Sequence, residues 1–195
     1  MRKQSKYHLR GSRSGGILKV LPLAGLLFTI GAVYSPTTVQ AEELKADFEK
    51  LQVGSRVEVE LEFVADSVLR AEAIEPATKE GKDKLRGHVT SLQGPTNNWI
   101  EVMGIKVKFS EETFSDFSKS VPASDDFKLG QRVYVKGRPY GNYLKAKEVM
   151  TKRLKESNKV TGTITEKIWQ SKELFWIVIL EKKIKVDRKT DITRP

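Results

Sequence analysis

Arg138-Pro139-Tyr140-Gly141-Asn142-Tyr143 places a guanidinium, two phenols and a carboxamide within six residues. Such side chains stack on the ring of a ligand and hydrogen-bond its substituents, and Trp99 offers a further aromatic face. Arg132 and Lys136, just upstream, add positive charge on the same stretch. Trp99, Arg132, Lys136, Arg138, Tyr140, Asn142 and Tyr143 are therefore the candidate ligand-binding residues. The plainer use of the tract is a hairpin turned at Gly141-Asn142, with the tyrosines covering strand edges.

No other residues make a case for reaction chemistry. The chain has no Cys, which removes thiol nucleophiles, disulfides and thiolate zinc sites. Of its two His, His88 stands alone in a Gly-x-Val segment, with no Ser or Asp at triad spacing. Glu111-Glu112 and Asp125-Asp126 could serve acid/base work or calcium, but they lack the alternating oxygen ligands around a Gly that a calcium loop uses. Solvation of a linker and of helix ends is the better reading. We expect no enzyme, no cofactor and no metal.

Charge is unevenly spread over the 195 residues. Of the formal +10, the first 41 residues supply six basic and no acidic side chains. Residues 42–77 are acidic, with ten acidic and four basic residues. Residues 127–159 are the reverse, with ten basic and two acidic residues. Each block could be a solvated face, or the two could attract one another within or between chains.

The basic start precedes an uncharged run, Val20 to Tyr34, and then Val39-Gln40-Ala41 before Glu42-Glu43. A positive region, a short apolar region and small residues at −3 and −1 describe a secretory signal cut after Ala41. The run is shorter than the ~20 residues that span a bilayer, and Pro22, Gly25 and Gly31 weaken it as a membrane helix. We expect a periplasmic protein, where the lack of Cys avoids oxidation. The membrane enters only if the signal stays uncleaved.

The elements that must position the candidate residues are repeated strands. Val53-Gly54-Ser55-Arg56-Val57-Glu58-Val59 recurs as Leu129-Gly130-Gln131-Arg132-Val133-Tyr134-Val135, and Leu69–Ile74 recurs as Leu144–Val149. Leu85-Arg86-Gly87-His88-Val89-Thr90 recurs as Val160-Thr161-Gly162-Thr163-Ile164-Thr165, 75 residues on. Each copy of the latter leads to an aromatic-led strand (Trp99–Val102; Phe175–Ile179) and an apolar alternation (Ile105, Val107; Ile184, Val186). Period-two alternation of Val57, Val59, Leu61 and Phe63 with charged neighbours marks half-buried strands. Turns fall at Met103-Gly104 and Glu181-Lys182-Lys183. Phe114, Phe117 and Val121 predict a short helix or helical turn within 110–127, ended by Pro122, with no counterpart in the other copy. Leu174–Leu180 does not alternate and should be buried on both faces.

Residues 85–150 thus run as strand, strand, strand, short helix, strand, strand. That is the order of a small oligonucleotide/oligosaccharide-binding (OB) barrel. We expect an all-β protein with two OB-like barrels. One is complete (85–150); the second is assembled from a closing half (51–75) and an opening half (160–192). A grouping into 51–113 and 127–192 has the same strands; the linker at 110–127 favours the first. The repeat, quoted above with Gly87-His88-Val89, Ile100–Phe109, Thr113, Leu129–Gly137 and Leu144-Lys145-Ala146, resembles an exported bacterial repeat family known as a domain of unknown function. The resemblance implies export and a small β module, and carries over no catalytic residue.

The expected function is an exported, non-enzymatic binding or interaction module that uses a charged face and the 137–143 loop. Its partner would be an envelope protein or an acidic glycan. The alternative is a purely structural accessory of a cell-envelope assembly. Single-stranded nucleic-acid binding is weaker, because export removes the chain from nucleic acid.

Overall fold

The computed structural model describes residues 36–65, 68–78, 80–93, 98–117, 120–151 and 157–193. The basic and apolar regions assigned to a signal lie outside these residues. Helix α1 (Pro36–Lys50) runs across the Ala41–Glu42 bond where the cut is expected.

The rest is all-β. Strands β1 (Arg56–Ala65) and β2 (Val68–Pro76) precede β3 (Asp83–Leu92), β4 (Trp99–Val102) and β5 (Ile105–Lys108). Then come β6 (Phe114–Ser115), a 3-10 turn at Ser124–Asp126, β7 (Arg132–Tyr140) and β8 (Tyr143–Met150). The chain ends with β9 (Asn158–Ser171), β10 (Leu174–Ile179), β11 (Lys182–Asp187) and β12 (Asp191–Ile192).

Two sets of five strands follow the same order of pairing. In the central set β3 pairs with β4, β4 with β5, β5 runs parallel to β8, β8 pairs with β7, and β7 pairs with β3. In the outer set β9 pairs with β10, β10 with β11, β11 runs parallel to β2, β2 pairs with β1, and β1 pairs with β9. The outer set thus joins strands from both sides of the central one. The two sets meet where β3 pairs with β9, through Lys84–Thr161, Leu85–Val160 and Arg86–Lys159.

Alternation decides which face is buried. Across six strands, Ile74, Val59, Val160, Leu85, Val135 and Val149 stand in register, all fully buried. Burial of an aliphatic side chain of this size stabilises by about 1.5–3 kcal/mol. The core therefore runs without interruption from one set into the other. The opposite face of the same strands is charged, and there Lys159 bonds Glu58 at 2.7 Å and Glu60 at 3.1 Å. Gly87 and Gly162 are the shared glycines of the repeat. A Cβ there would sit 2.4 Å from Met103 Sδ and 2.7 Å from Ile179 Cγ2, so a side chain at either position would force those buried side chains to move.

The repeat extends further than sequence showed. Thr113 Oγ1 donates to Ala146 O at 2.9 Å, and Thr190 Oγ1 donates to Ala71 O at 2.8 Å, the same bond in the two sets. β6 and β12 then lie parallel to β8 and β2.

Several expectations are corrected. The described residues of 110–127 hold a turn, strand β6 and, beyond Pro122, the 3-10 turn, with Phe114 in β6 and no α-helix among them. Thr113 draws its chain against β8, so the backbone pairs there and does not wind into a helix. The second hairpin turns at Leu180-Glu181, both with positive φ (51° and 62°), so Lys182 and Lys183 already belong to β11. Phe63 is 43% exposed, since the buried alternation of β1 stops after Leu61 and the last three residues of the strand are exposed. In Leu174–Leu180, Trp176 is only half-buried while Phe175, Ile177 and Ile179 are fully buried.

Helix α1 covers the outer set. Leu44, Phe48 and Leu51 fall on one side at helical spacing and are buried. The Phe48 ring stacks on Phe175 at 4.3 Å, and Trp169 meets both rings edge-on. The Lys167 ammonium donates to the carbonyls of Phe48, at 2.7 Å, and Leu51. A cation thus closes the negative end of the helix, where backbone carbonyls lack helical partners.

Candidate functional site

The central set carries a row of outward side chains that crosses four strands. On β4, Ile100 and Val102 are buried, which turns Trp99 outward; on β5, buried Ile105 and Val107 turn Lys106 and Lys108 outward. On β8, buried Leu144 and Ala146 do the same for Tyr143 and Lys145. In register, Trp99 faces Lys108, Lys108 faces Lys145, and Lys145 faces Arg138 on β7. Neighbouring strands lie about 4.8 Å apart, so three cations are held side by side where like charges repel.

Aromatic rings accompany them. Tyr140 and Tyr143 are paired across the β7–β8 turn, with ring centres 5.4 Å apart and planes tilted by 41°. Tyr140 is 65% exposed. Lys106 lies over the Trp99 ring at 3.8 Å and Lys108 over the Tyr143 ring at 5.5 Å, as cations sit on aromatic faces. Gly141-Asn142 make the two-residue turn, with Gly141 at φ 55° in the first position, where glycine is needed. A cavity of about 500 Å³ opens here, lined by Asn98, Lys108, Ser110, Tyr140, Tyr143 and Lys145 among others. Ser110 Oγ is out of solvent and has no hydrogen-bond partner among the described residues. Glu111, three residues after Lys108, is also on the lining.

The equivalent row of the outer set has been neutralised. There Trp176 faces Lys185, Lys185 faces Arg70, and Arg70 faces Glu62. Arg70 bonds Glu62 at 2.5 Å and Asp187 at 3.3 Å, and Lys185 bonds Asp187 at 3.0 Å. Burial alone would raise the Asp187 pKa, but the Lys189 backbone N–H, Lys185 and Arg70 together hold it below the usual carboxylate value. Trp176 is tied down by its Nε1 donating to Gln170 at 2.6 Å. The central set has Arg138 where the outer has Glu62, and Ser110 where it has Asp187. Lys108, Lys145 and Arg138 make no ion pair with another described residue.

Of the seven candidates from sequence, Trp99, Arg138, Tyr140, Asn142 and Tyr143 lie along this row or its turn. Arg132 and Lys136 do not join the cavity. Arg132 starts β7 opposite His88, and burial, with Arg86 close by, lowers its pKa. Lys136 faces Lys84 and Glu148 and lines a separate groove of about 480 Å³ over the β3–β9 junction, with Glu58, Arg86, Tyr134 and Lys159. His88 is half-buried. Of the acidic pairs, Glu112 bonds Lys147 and Asp126 accepts the Ala123 N–H at 2.9 Å, which closes the 3-10 turn. Sequence reasoning missed Lys106, Lys108, Lys145, Asn98 and Ser110. The alternation of Ile105 and Val107 could have found the lysines of β5.

The fold and this face describe an all-β protein made of two copies of one strand pattern, one copy bearing a cationic and aromatic surface whose row of charges is not ion-paired among the described residues. The chain belongs to the family described as Domain of unknown function (DUF5666), which matches residues 29–75 and 86–150. No curated protein and no solved structure matches it.

Proposed function

We propose that the protein is an exported, non-enzymatic binding module of two small OB-like β-barrels, and that the central barrel holds the ligand. The barrel reading is supported by the order of pairing in each set. First strand meets second, second meets third, third runs parallel to fifth, fifth meets fourth, and fourth returns to first. That order describes a five-stranded OB barrel, whose second and third strands and last hairpin loop form the usual ligand face. The outer set, from residues 51–75 and 160–192, repeats it. Export rests on the N-terminal pattern of a basic stretch, an apolar run and Val39-Gln40-Ala41.

The single observation that carries the binding reading is the row Trp99–Lys108–Lys145–Arg138. It sits on that face with its charges not ion-paired among the described residues, while the matching row of the outer set is ion-paired. A partner with negative charge, an envelope protein or an acidic glycan, would complete it. The test is capture of tagged protein from its own envelope at low and moderate salt, with Arg138→Ala and Tyr140→Ala alongside. A specific partner lost in both variants and at moderate salt supports the reading. Equal capture by the variants removes this face from it.

A further inference from the structure

We propose, resting on that binding reading, that the central face takes an anionic saccharide: a sugar ring against Tyr140 and Tyr143, with its carboxylate or phosphate held by Lys108, Lys145 and Arg138.

Three observations point to this ligand class. The first is the mixture of groups. A sugar ring presents C–H faces to an aromatic ring and hydroxyls around its rim, and the two tilted tyrosines offer both a face and polar edges. Asn98 and Ser110 on the same lining supply further polar groups, and Ser110 Oγ is still without a partner among the described residues. An unsatisfied hydroxyl out of solvent carries a cost that a ligand hydroxyl would remove. Glu111, at the same cavity, can accept from a sugar hydroxyl.

The second is the charge. Three cations in register across β5, β8 and β7 repel one another, and an anion seated between them converts that repulsion into attraction. Where the outer set needs no ligand, its own Glu62 and Asp187 occupy the role of that anion. Their carboxylates show what the central row lacks: negative oxygens above Lys145 and within reach of Lys108.

The third is extent. A cavity of about 500 Å³ is in the range of pockets that hold small ligands. The basic row ends with the central set, because the matching positions of the outer set are acidic or ion-paired. A polynucleotide needs a cationic track that continues along its backbone. A short or terminal sugar does not. The same comparison assigns binding to one copy of the repeat and denies it to the other.

The test is calorimetric titration of the full chain with trigalacturonate, its methyl ester, glucose 6-phosphate and a six-nucleotide oligothymidylate. The first and third probes separate carboxylate from phosphate as the anion. The ester keeps the rings and removes the charge. The variants are Lys108→Gln/Lys145→Gln, Tyr140→Ala and, as a control on the equivalent outer position, Lys185→Gln, each checked for an unchanged circular dichroism spectrum. We expect at least one sugar anion to bind, with the ester at least tenfold weaker than trigalacturonate if the carboxylate is the anion. The double-lysine variant should lose at least tenfold and Tyr140→Ala severalfold, while Lys185→Gln stays within twofold of wild type. Binding by neither sugar anion overturns the proposal, as does equal binding by the double-lysine variant. Tighter binding of oligothymidylate, lost in the same variants, overturns the saccharide class and leaves the face as a binding site. Envelope capture indifferent to Arg138 and Tyr140 is the separate result that removes the face itself.

Discussion

Leu85 pairs with Val160, and the two occupy the same position of the internal repeat. The flanking pairs, Lys84 with Thr161 and Arg86 with Lys159, cross over between the copies in the same way. β3 and β9 therefore meet about a local two-fold axis, in the manner of an isologous interface, but within one chain. Both side chains are fully buried, so each contributes to the core of its own set and of its neighbour.

Leu85→Ala should lower stability by about 2–5 kcal/mol and Val160→Ala by somewhat less, as truncations of buried aliphatic side chains do. Because they touch across the junction, the double variant should depart from the sum by at least about 0.5 kcal/mol. Urea unfolding of the four proteins measures this. Simple additivity would mean the junction transmits nothing.

The central set, cut out as residues 82–151, should keep its fold and expose the edge of β3. The local two-fold predicts that two such fragments pair β3 to β3 around Leu85. Sedimentation should show a concentration-dependent dimer, and Leu85→Lys should make it monomeric. An unfolded fragment would refute the independence of this set.

Lys167→Met should loosen α1 while leaving the strands in place. It removes the charge that closes the helix end, a cost of about 0.3–1 kcal/mol, and takes the ammonium donor from the Leu51 and Phe48 carbonyls, the latter keeping the Leu51 N–H. Amide exchange at residues 42–51 should speed up at least severalfold, with β3 and β7 unchanged. Phe48→Ala should produce a larger loosening of the same residues, because it also deletes the stack on Phe175.

Acid should weaken the outer set first. The Asp187 pKa lies below its ordinary value: burial opposes this, but the Lys189 N–H, Lys185 and Arg70 outweigh it. Glu58 is also lowered, as bonds from Lys159 and Thr161 outweigh burial. A depressed carboxylate contributes stability that is complete above its unfolded pKa, near 4, and is lost as pH falls through the folded value. The urea midpoint should therefore drop between pH 5 and pH 3. Asp187→Asn should be less stable at pH 6 and show a shallower drop. An unchanged slope would remove Asp187 from the account.

Legibility in the sequence followed the physical signal. Period-two alternation located β1, since one wet and one buried face leave that trace directly, and the internal repeat extended the reading to β3, β7 and β8. Parallel pairing leaves none. Sequence matched Ile105 and Val107 to Ile184 and Val186, whereas pairing with β8 and β2 equates Val107 with Ile184. The same blindness hid Lys108 beside Lys145, because only the β5–β8 contact brings them together. Trp99, Tyr140 and Tyr143 were legible as residue types near a turn. Arg132 and Lys136 share β7 with Arg138, but Lys136 lines the groove over the β3–β9 junction and Arg132 starts the strand opposite His88, at the other end from the turn.

The interleaving of the two sets also constrains the order in which the chain can fold. Val59 meets Val160 101 positions later, so β1 and β2 leave the ribosome long before β9 exists. The central set, whose strands are closer in sequence, can assemble meanwhile. During that interval the apolar side of β1 has no cover, and an uncovered strand invites pairing with another chain. Glu58, Glu60 and Glu62 along its other side make two such waiting strands repel each other. The acidity of residues 42–77 then protects a nascent chain, and Lys159 and Thr161 take up Glu58 only once β9 arrives.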